Sequence, residues 1–194
     1  ANYLSFVILG SLLGPWLLRK RQYDIVFGYG VSPILQTIPA LLIGRIKGCK
    51  IVSWVQDLWP ESLKATGYID NENLLGTIRI LVSWIYRQND LLLLQSKAFV
   101  EPVKLLAPHT RVAYQPNSVD PSFSRQAATD LVLPEIPALD SGFPVVFAGN
   151  IGSAQAVEVI VEAATRLADH PEIRFVVIGQ GSRWEWMAEQ AVER

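Results

Sequence analysis

A chain of 194 residues, half of them hydrophobic and 18% charged, with a mean hydropathy of +0.24, has the apolar material for a real core and too little charge for a disordered protein. A net charge of -1 gives no electrostatic reason to expect nucleic acid as a partner, and the single cysteine, Cys49, excludes an internal disulfide framework or a thiolate metal cluster. Thirteen Gly and 12 Pro are near average usage, which argues against collagen-like and low-complexity chains. Starting at Ala1 without a Met and ending in a charged helical pattern at Arg194, the sequence reads as a piece of a longer polypeptide.

The segment Tyr3 to Leu18 is almost wholly apolar and is followed by Arg19, Lys20 and Arg21. It is short for a membrane span, which takes about 20 apolar residues, and Gly10, Gly14 and Pro15 interrupt it. A signal peptide carries its cations ahead of the apolar region, whereas here they follow it. Two readings remain: a buried or half-buried helix packed on a sheet, or a monotopic helix with its apolar face in a bilayer and its cations on anionic head groups.

Beyond it, short β-rich runs occur at Asp24–Tyr29, Lys50–Val55, Asp90–Leu94, Val112–Tyr114, Pro144–Ala148 and Arg174–Ile178, brief and apolar as buried parallel strands are. Between them the pattern predicts helices over Pro33–Lys47, Glu72–Asn89, Lys97–Leu106 and Ala154–Ala168, the last with Val157, Ile160, Val161, Ala164 and Ala168 on one face. Asp70-Asn71-Glu72 reads as the acidic start of the second of these. The alternation predicts an α/β fold with open parallel sheets and right-handed crossovers, with ligands at the carboxyl ends of the strands. Asp120 to Gly142, rich in Pro and Ser and without periodicity, reads as an interdomain linker. It separates a Rossmann-like domain over 1–119 from a β-α-β-α unit over 143–194, too small to stand alone and therefore the opening of a second Rossmann-like domain.

Two loops carry the chemistry. Phe147-Ala148-Gly149-Asn150-Ile151-Gly152-Ser153-Ala154-Gln155 follows a strand and opens a helix, so Gly149 and Gly152 allow close backbone approach while the helix terminus offers free N–H groups to a diphosphate. Gly179-Gln180-Gly181 ends the next strand in the same way and is expected to lie beside it. Glycines after a strand also make ordinary turns. The second loop runs from Trp54 to Ser62, with Gln56 and Asp57 between Trp54 and Trp59, a set able to hold a sugar by hydrogen bonds and stacking. Its structural alternative is helix capping by Asp57 or Ser62 with Pro60 in the first turn. His109 and His170 lie in loops with no cluster of metal ligands around them in sequence, and Glu185, Glu189 and Glu193 recur at four-residue steps as on a solvated helix face.

Four stretches occur together and in order: Val55–Ser62, Gln115-Pro116-Asn117-Ser118-Val119-Asp120, Phe147–Gln155 and Val177-Ile178-Gly179-Gln180-Gly181-Ser182. In this the chain resembles bacterial GT-B glycosyltransferases of the retaining, group 1 (family 4) type, most of all the WbuB-like fucosamine transferases of O-antigen and capsule synthesis. The resemblance implies a GT-B fold with an acceptor-binding first domain and a nucleotide-sugar-binding second domain. It also implies a nucleotide-sugar donor, a UDP-sugar, a polyprenyl-linked glycan acceptor, no cofactor, and a peripheral place on the inner face of the plasma membrane through residues 3–21. Carried over, Gly149 matches the glycine under the donor phosphates, and Gly179 lines the same pocket. Asn150 and Gln155 fall where most relatives have an Arg and a Lys, a departure shared by the WbuB-like subgroup. Gln56 takes the place of a His that reaches the donor sugar, with Asp57 after it as the second catalytic candidate, and Asn117 lies near the cleft. The family's glycine-rich first loop and its acidic donor motif have no counterpart between Ala1 and Arg194, so this stretch is expected to be inactive alone. No Asp-x-Asp occurs, and the loop Gly149–Gln155 has no carboxylate, which predicts a metal-independent reaction. The competing readings are a GT-B sugar-nucleotide 2-epimerase and a non-catalytic, membrane-associated Rossmann scaffold.

Overall fold

The computed structural model describes residues 2–30, 32–67, 69–121 and 142–192. It divides into two units, Ala1–Val119 and Asp120–Arg194. The first contains α1 (Asn2–Leu17), β1 (Ile25–Gly30), α2 (Ile38–Lys47), β2 (Lys50–Val55), α3 (Glu61–Ala65), α4 (Glu72–Arg87), β3 (Leu91–Leu94), α5 (Val100–Leu106) and β4 (Arg111–Tyr114). The second contains β5 (Phe143–Ala148), α6 (Val157–Arg166), β6 (Ile173–Ile178) and α7 (Trp184–Val192). Most of the segment expected as a linker, 122–141, lies outside the described residues.

The four strands of the first unit are parallel and lie side by side in chain order, β1-β2-β3-β4. Each right-handed crossover then steps the same way across the sheet, which puts α2, α4 and α5 on one face. The pleat does the rest: Ile51, Ser53 and Val55 of β2 and Leu92 and Leu94 of β3 alternate onto that face and are buried. They join Leu41, Val82, Ile85, Tyr86 and Val103 in one core. On the other face Ile25, Phe27 and Tyr29 are exposed, with the Tyr29 and Trp54 rings 5.5 Å apart.

The helices expected from Pro33 and from Lys97 each open with a 3-10 turn, over Ile34–Thr37 and Lys97–Phe99. Proline explains both. Pro39 and Pro102 have no N–H to give the carbonyl four residues back, so an α-helix can begin only where each falls within the first turn, at Ile38 and Val100. Glu72 does start a helix, capped by Asn71, whose Oδ1 accepts the N–H groups of Asn73 and Leu74.

The expectation of a buried or half-buried helix packed on a sheet for Tyr3–Leu18 is met in part: Val7, Ser11 and Pro15 are half-buried, but the partner is a helix. α1 packs along α2, with Gly10 against Pro39 and Gly14 against Ile43, where added Cβ atoms would come within 3.0 Å of those side chains. Its remaining sides are exposed, with Leu12, Leu17 and Leu4 the most so.

In the second unit β5 and β6 pair in parallel from Phe143↔Ile173 to Ala148↔Ile178, and Ile151, Val157 and Met187 form the core with Phe147, Val161 and Trp186 against them. α6 begins at Val157 rather than Ala154, because Ser153–Gln155 form a 3-10 turn and Ala156 is left-handed, at φ 46°. Between the fully buried Ile151 and Val157 the chain loops outward, and this loop is the candidate donor segment.

Candidate functional site

At the carboxyl end of the first sheet each strand after the first is followed by a glutamine. Gln56 N–H donates to Gly30 O (3.1 Å), Gln95 N–H to Val55 O (3.3 Å) and Gln115 N–H to Leu94 O (2.9 Å), which extends the ladder by one rung and sets the three residues in a row. Gln95 Nε2 also donates to Gln56 O at 3.3 Å. The two tryptophans are pinned by their indole N–H groups, Trp54 to Gln115 O (2.9 Å) and Trp59 to Ser32 Oγ (3.0 Å). Gln56 Nε2 is buried without a partner among the described residues, an unused donor at this rim. Asp57 beside it is half-buried, and Asn117 is exposed just past Gln115.

Capping does not account for this loop. Pro60 holds the cap position of α3 with no side-chain bond, and Ser62 lies inside the helix with its hydroxyl buried and unpartnered. Asp57 is too far back: the chain turns at Trp59-Pro60, and it is Leu58 O that accepts the Ser62 N–H, at 2.8 Å. Beneath lies Tyr86, fully buried. Burial, reinforced by the negative charges of Glu61 and Asp57, pushes its phenol far above the ordinary tyrosine value, so it stays protonated.

In the second unit the two glycine loops lie side by side as expected. Gly149 N–H donates to Ile178 O, Ile151 N–H to Gln180 O and Arg183 N–H to Ile151 O, each at 2.9 Å. Gly179 and Gly181 are required by this contact, since a Cβ would collide with Gly149 O in one case and Ile151 O in the other. Gly149 is different: a Cβ there would meet only the Phe147 ring, at 3.8 Å, and otherwise open space. The Asn150 amide donates to Gln155 Oε1 at 3.2 Å, and Gly152 leaves room for the pair.

Sequence reasoning missed two residues here. Gln95 was signalled only by the repetition of Gln after β2, β3 and β4. Arg183 had no signal: its guanidinium stacks over Trp186 at 4.4 Å and pairs with Glu158 in the first turn of α6. Glu158 is held below the ordinary carboxylate value first by its own backbone N–H and then by Arg183. Glu172 is lowered likewise, by its own N–H and then by His170, 3.0 Å away, while Glu185 and Glu189 are exposed on α7.

An α/β protein with a Rossmann-like parallel sheet, β1–β4, and a second parallel sheet, each with polar loops at its strand carboxyl ends, is consistent with part of the GT-B type of architecture. No family model matches the chain. Over 186 residues it is 25% identical to WcaI of Escherichia coli (strain K12), a colanic acid biosynthesis glycosyl transferase by its description, with 90% of this chain and 45% of that protein covered. Over 178 residues it is 25% identical to the glycosyltransferase WbjE of Pseudomonas aeruginosa, with 90% and 44% covered. The chain therefore spans less than half the length of these relatives, and its similarity to bacterial glycosyltransferases is distant.

Proposed function

We propose that this chain is part of a retaining glycosyltransferase that moves a sugar from a UDP-sugar to a polyprenyl-linked glycan in bacterial surface polysaccharide synthesis, as a peripheral protein on the inner face of the plasma membrane. The observation that carries the reading is the pair of glycine loops, 149–155 and 179–182, locked together by backbone hydrogen bonds with Gly149 open on its outer side. Both relatives are glycosyltransferases by name, which supports the transferase class.

In this reading Gly149 and Gly179 let the donor diphosphate approach the backbone, while Asn150 and Gln155 give it neutral hydrogen bonds where cations are commoner. The leaving group's growing charge is met by backbone N–H groups. Gln56 and Asp57 act on the transferred sugar, with Asn117 at the same rim. The first unit binds acceptor and the second binds donor, joined through 120–142. The loop Gly149–Gln155 contains no carboxylate to hold a bridging cation, which supports a reaction that needs no divalent metal.

The test is UDP-sugar turnover by the protein that carries this chain. Consumption only when acceptor is present, undiminished by excess EDTA, is the expected result. Turnover without acceptor would instead make it a 2-epimerase, and none under either condition would leave a non-catalytic scaffold. Loss of activity in EDTA with rescue by Mn²⁺ would overturn metal independence alone.

A further inference from the structure

We propose that Arg183 acts on the donor diphosphate through Glu158: by pairing with that carboxylate it cancels a negative charge beside the donor loop, and so sets how tightly the loop holds its anionic ligand. The proposal rests on the donor reading given above and adds to it a positioning residue that acts at one remove from the ligand.

Residues 148–157 and 178–182, which carry the two glycine loops, include no charged side chain. A diphosphate bound there meets only backbone N–H groups and neutral side chains, so the formal charges just outside the loops decide its electrostatic surroundings. Glu158 follows the first of these stretches and Arg183 follows the second. Glu158 stands three residues beyond Gln155, hence within about 11 Å of it along the chain. That is close to the Debye length of about 10 Å at 0.1 M salt, so the charge is felt at the loop. Ala156 offers the start of α6 no side-chain bond, and the Glu158 carboxylate turns back to accept its own backbone N–H. Helix N–H groups point toward the amino end, which puts this carboxylate on the loop side of α6. Left alone, it would repel a diphosphate at Gly149–Gln155.

Three contacts hold Arg183 where it can answer that charge. Its backbone N–H donates to Ile151 O at 2.9 Å, which fixes its backbone against the first loop. Its guanidinium lies 4.4 Å above the Trp186 ring, and Trp186 packs on the core formed by Ile151, Val157 and Met187. Nη2 then donates to Glu158 Oε1. The Arg183 side chain is 34% exposed, and its Nε is buried without a partner among the described residues, so the guanidinium is held partly out of water. A pair fixed in this way presents no net charge to the loop. The same pair ties the starts of α6 and α7 together, but that structural role is separable from the electrostatic one. Removing both charges at once undoes the tie and keeps the neutrality.

The experiment is calorimetric titration of UDP into the protein carrying this chain and into its Arg183→Gln, Glu158→Gln and double variants, with a melting curve of each. A unit charge about 10 Å from a diphosphate changes its binding by about fivefold in water-like surroundings. Arg183→Gln should therefore weaken UDP binding by about fivefold at low salt, and Glu158→Gln should strengthen it by a similar factor. The double variant should return to the wild-type affinity, and every difference should shrink as salt is raised. Melting temperatures should follow another order: all three variants lack the pair and should melt together, slightly below the wild type. Affinity that recovers in the double variant while stability does not is the signature of charge. Unchanged affinity in Glu158→Gln would overturn the proposal. So would a double variant as weak as Arg183→Gln, because Arg183 would then touch the ligand or shape the loop itself. Should Arg183→Gln fail to fold, Glu158→Gln alone decides, since it changes a side chain that is 48% exposed and must bind UDP more tightly. A wild type that binds no UDP would sink the donor reading and this proposal together, whereas equal UDP binding by all four proteins sinks this proposal alone.

Discussion

The side-chain amide of Asn150 donates to Gln155 Oε1 at 3.2 Å, so the two residues proposed to face the donor diphosphate hold each other across their loop. That bond closes the loop without charge. Arg183, bonded to the same loop through its backbone, has its guanidinium engaged by Glu158. Changing Asn150→Arg and Gln155→Lys replaces a neutral clasp with two cations that repel one another until an anion arrives. UDP affinity should rise by on the order of tenfold at low ionic strength, and the gain should fade with added salt. Titration calorimetry at two salt concentrations checks it; an unchanged affinity would mean that these side chains face away from the phosphates.

Gly149 and Gly179 look alike in the sequence and differ in what surrounds them. Valine at position 149 projects into open space beside Phe147, so Gly149→Val should melt like the wild type and lose UDP binding. Alanine at 179 runs into Gly149 O, so Gly179→Ala should lose about 1–3 kcal/mol of stability through a displaced backbone. Paired melting curves and UDP titrations distinguish the two. Normal UDP binding by Gly149→Val removes the loop from the donor site.

The strands were readable because each is a short apolar run bounded by turn residues, and nothing in the tertiary structure overrides that signal. Helix starts were less so, since periodicity runs on past Pro39 and Pro102 while hydrogen bonding cannot. α3 is too short for any periodicity to reveal. The apolar character of α1 was plain, but a helix apolar on all sides carries no directional information, so its place beside α2 followed from Gly10 and Gly14 only once the partner was known. The glutamine row shows the same limit: Gln95 gains meaning from two neighbours that are distant in sequence.

Asp90 joins two strands at their amino ends, accepting from Lys50 Nζ at 2.8 Å and from the Ile51 N–H at 2.9 Å. The hydrogen bond from Lys50, then that from Ile51, holds its carboxyl below the ordinary aspartate value. A carboxylate lowered on folding stabilises the native state above its unfolded pKa, and that contribution is lost as pH falls through the folded pKa. Asp90→Asn should therefore lower the melting temperature at pH 7, by a small amount because the pair is exposed, and the gap should close on acidification. A gap that persists unchanged at low pH would assign the effect to lost packing instead of the charge.

Gln56 and Gln95 allow the rim to be tested in two ways. If Gln56 bonds the transferred sugar most strongly in the transition state, Gln56→Ala should lower kcat more than it raises KM for the donor, by on the order of tenfold to a hundredfold for one lost hydrogen bond to developing charge. Gln95 acts at one remove, through its 3.3 Å bond to Gln56 O. Gln95→Ala should lower kcat in the same sense but less. Gln95→Leu should match it, since the Nε2 donor and not the side-chain volume sets the position of Gln56. Normal kinetics for folded Gln56→Ala would strip the rim of its role in transfer. A normal Gln95→Leu beside an impaired Gln56→Ala would show that Gln56 needs no such support.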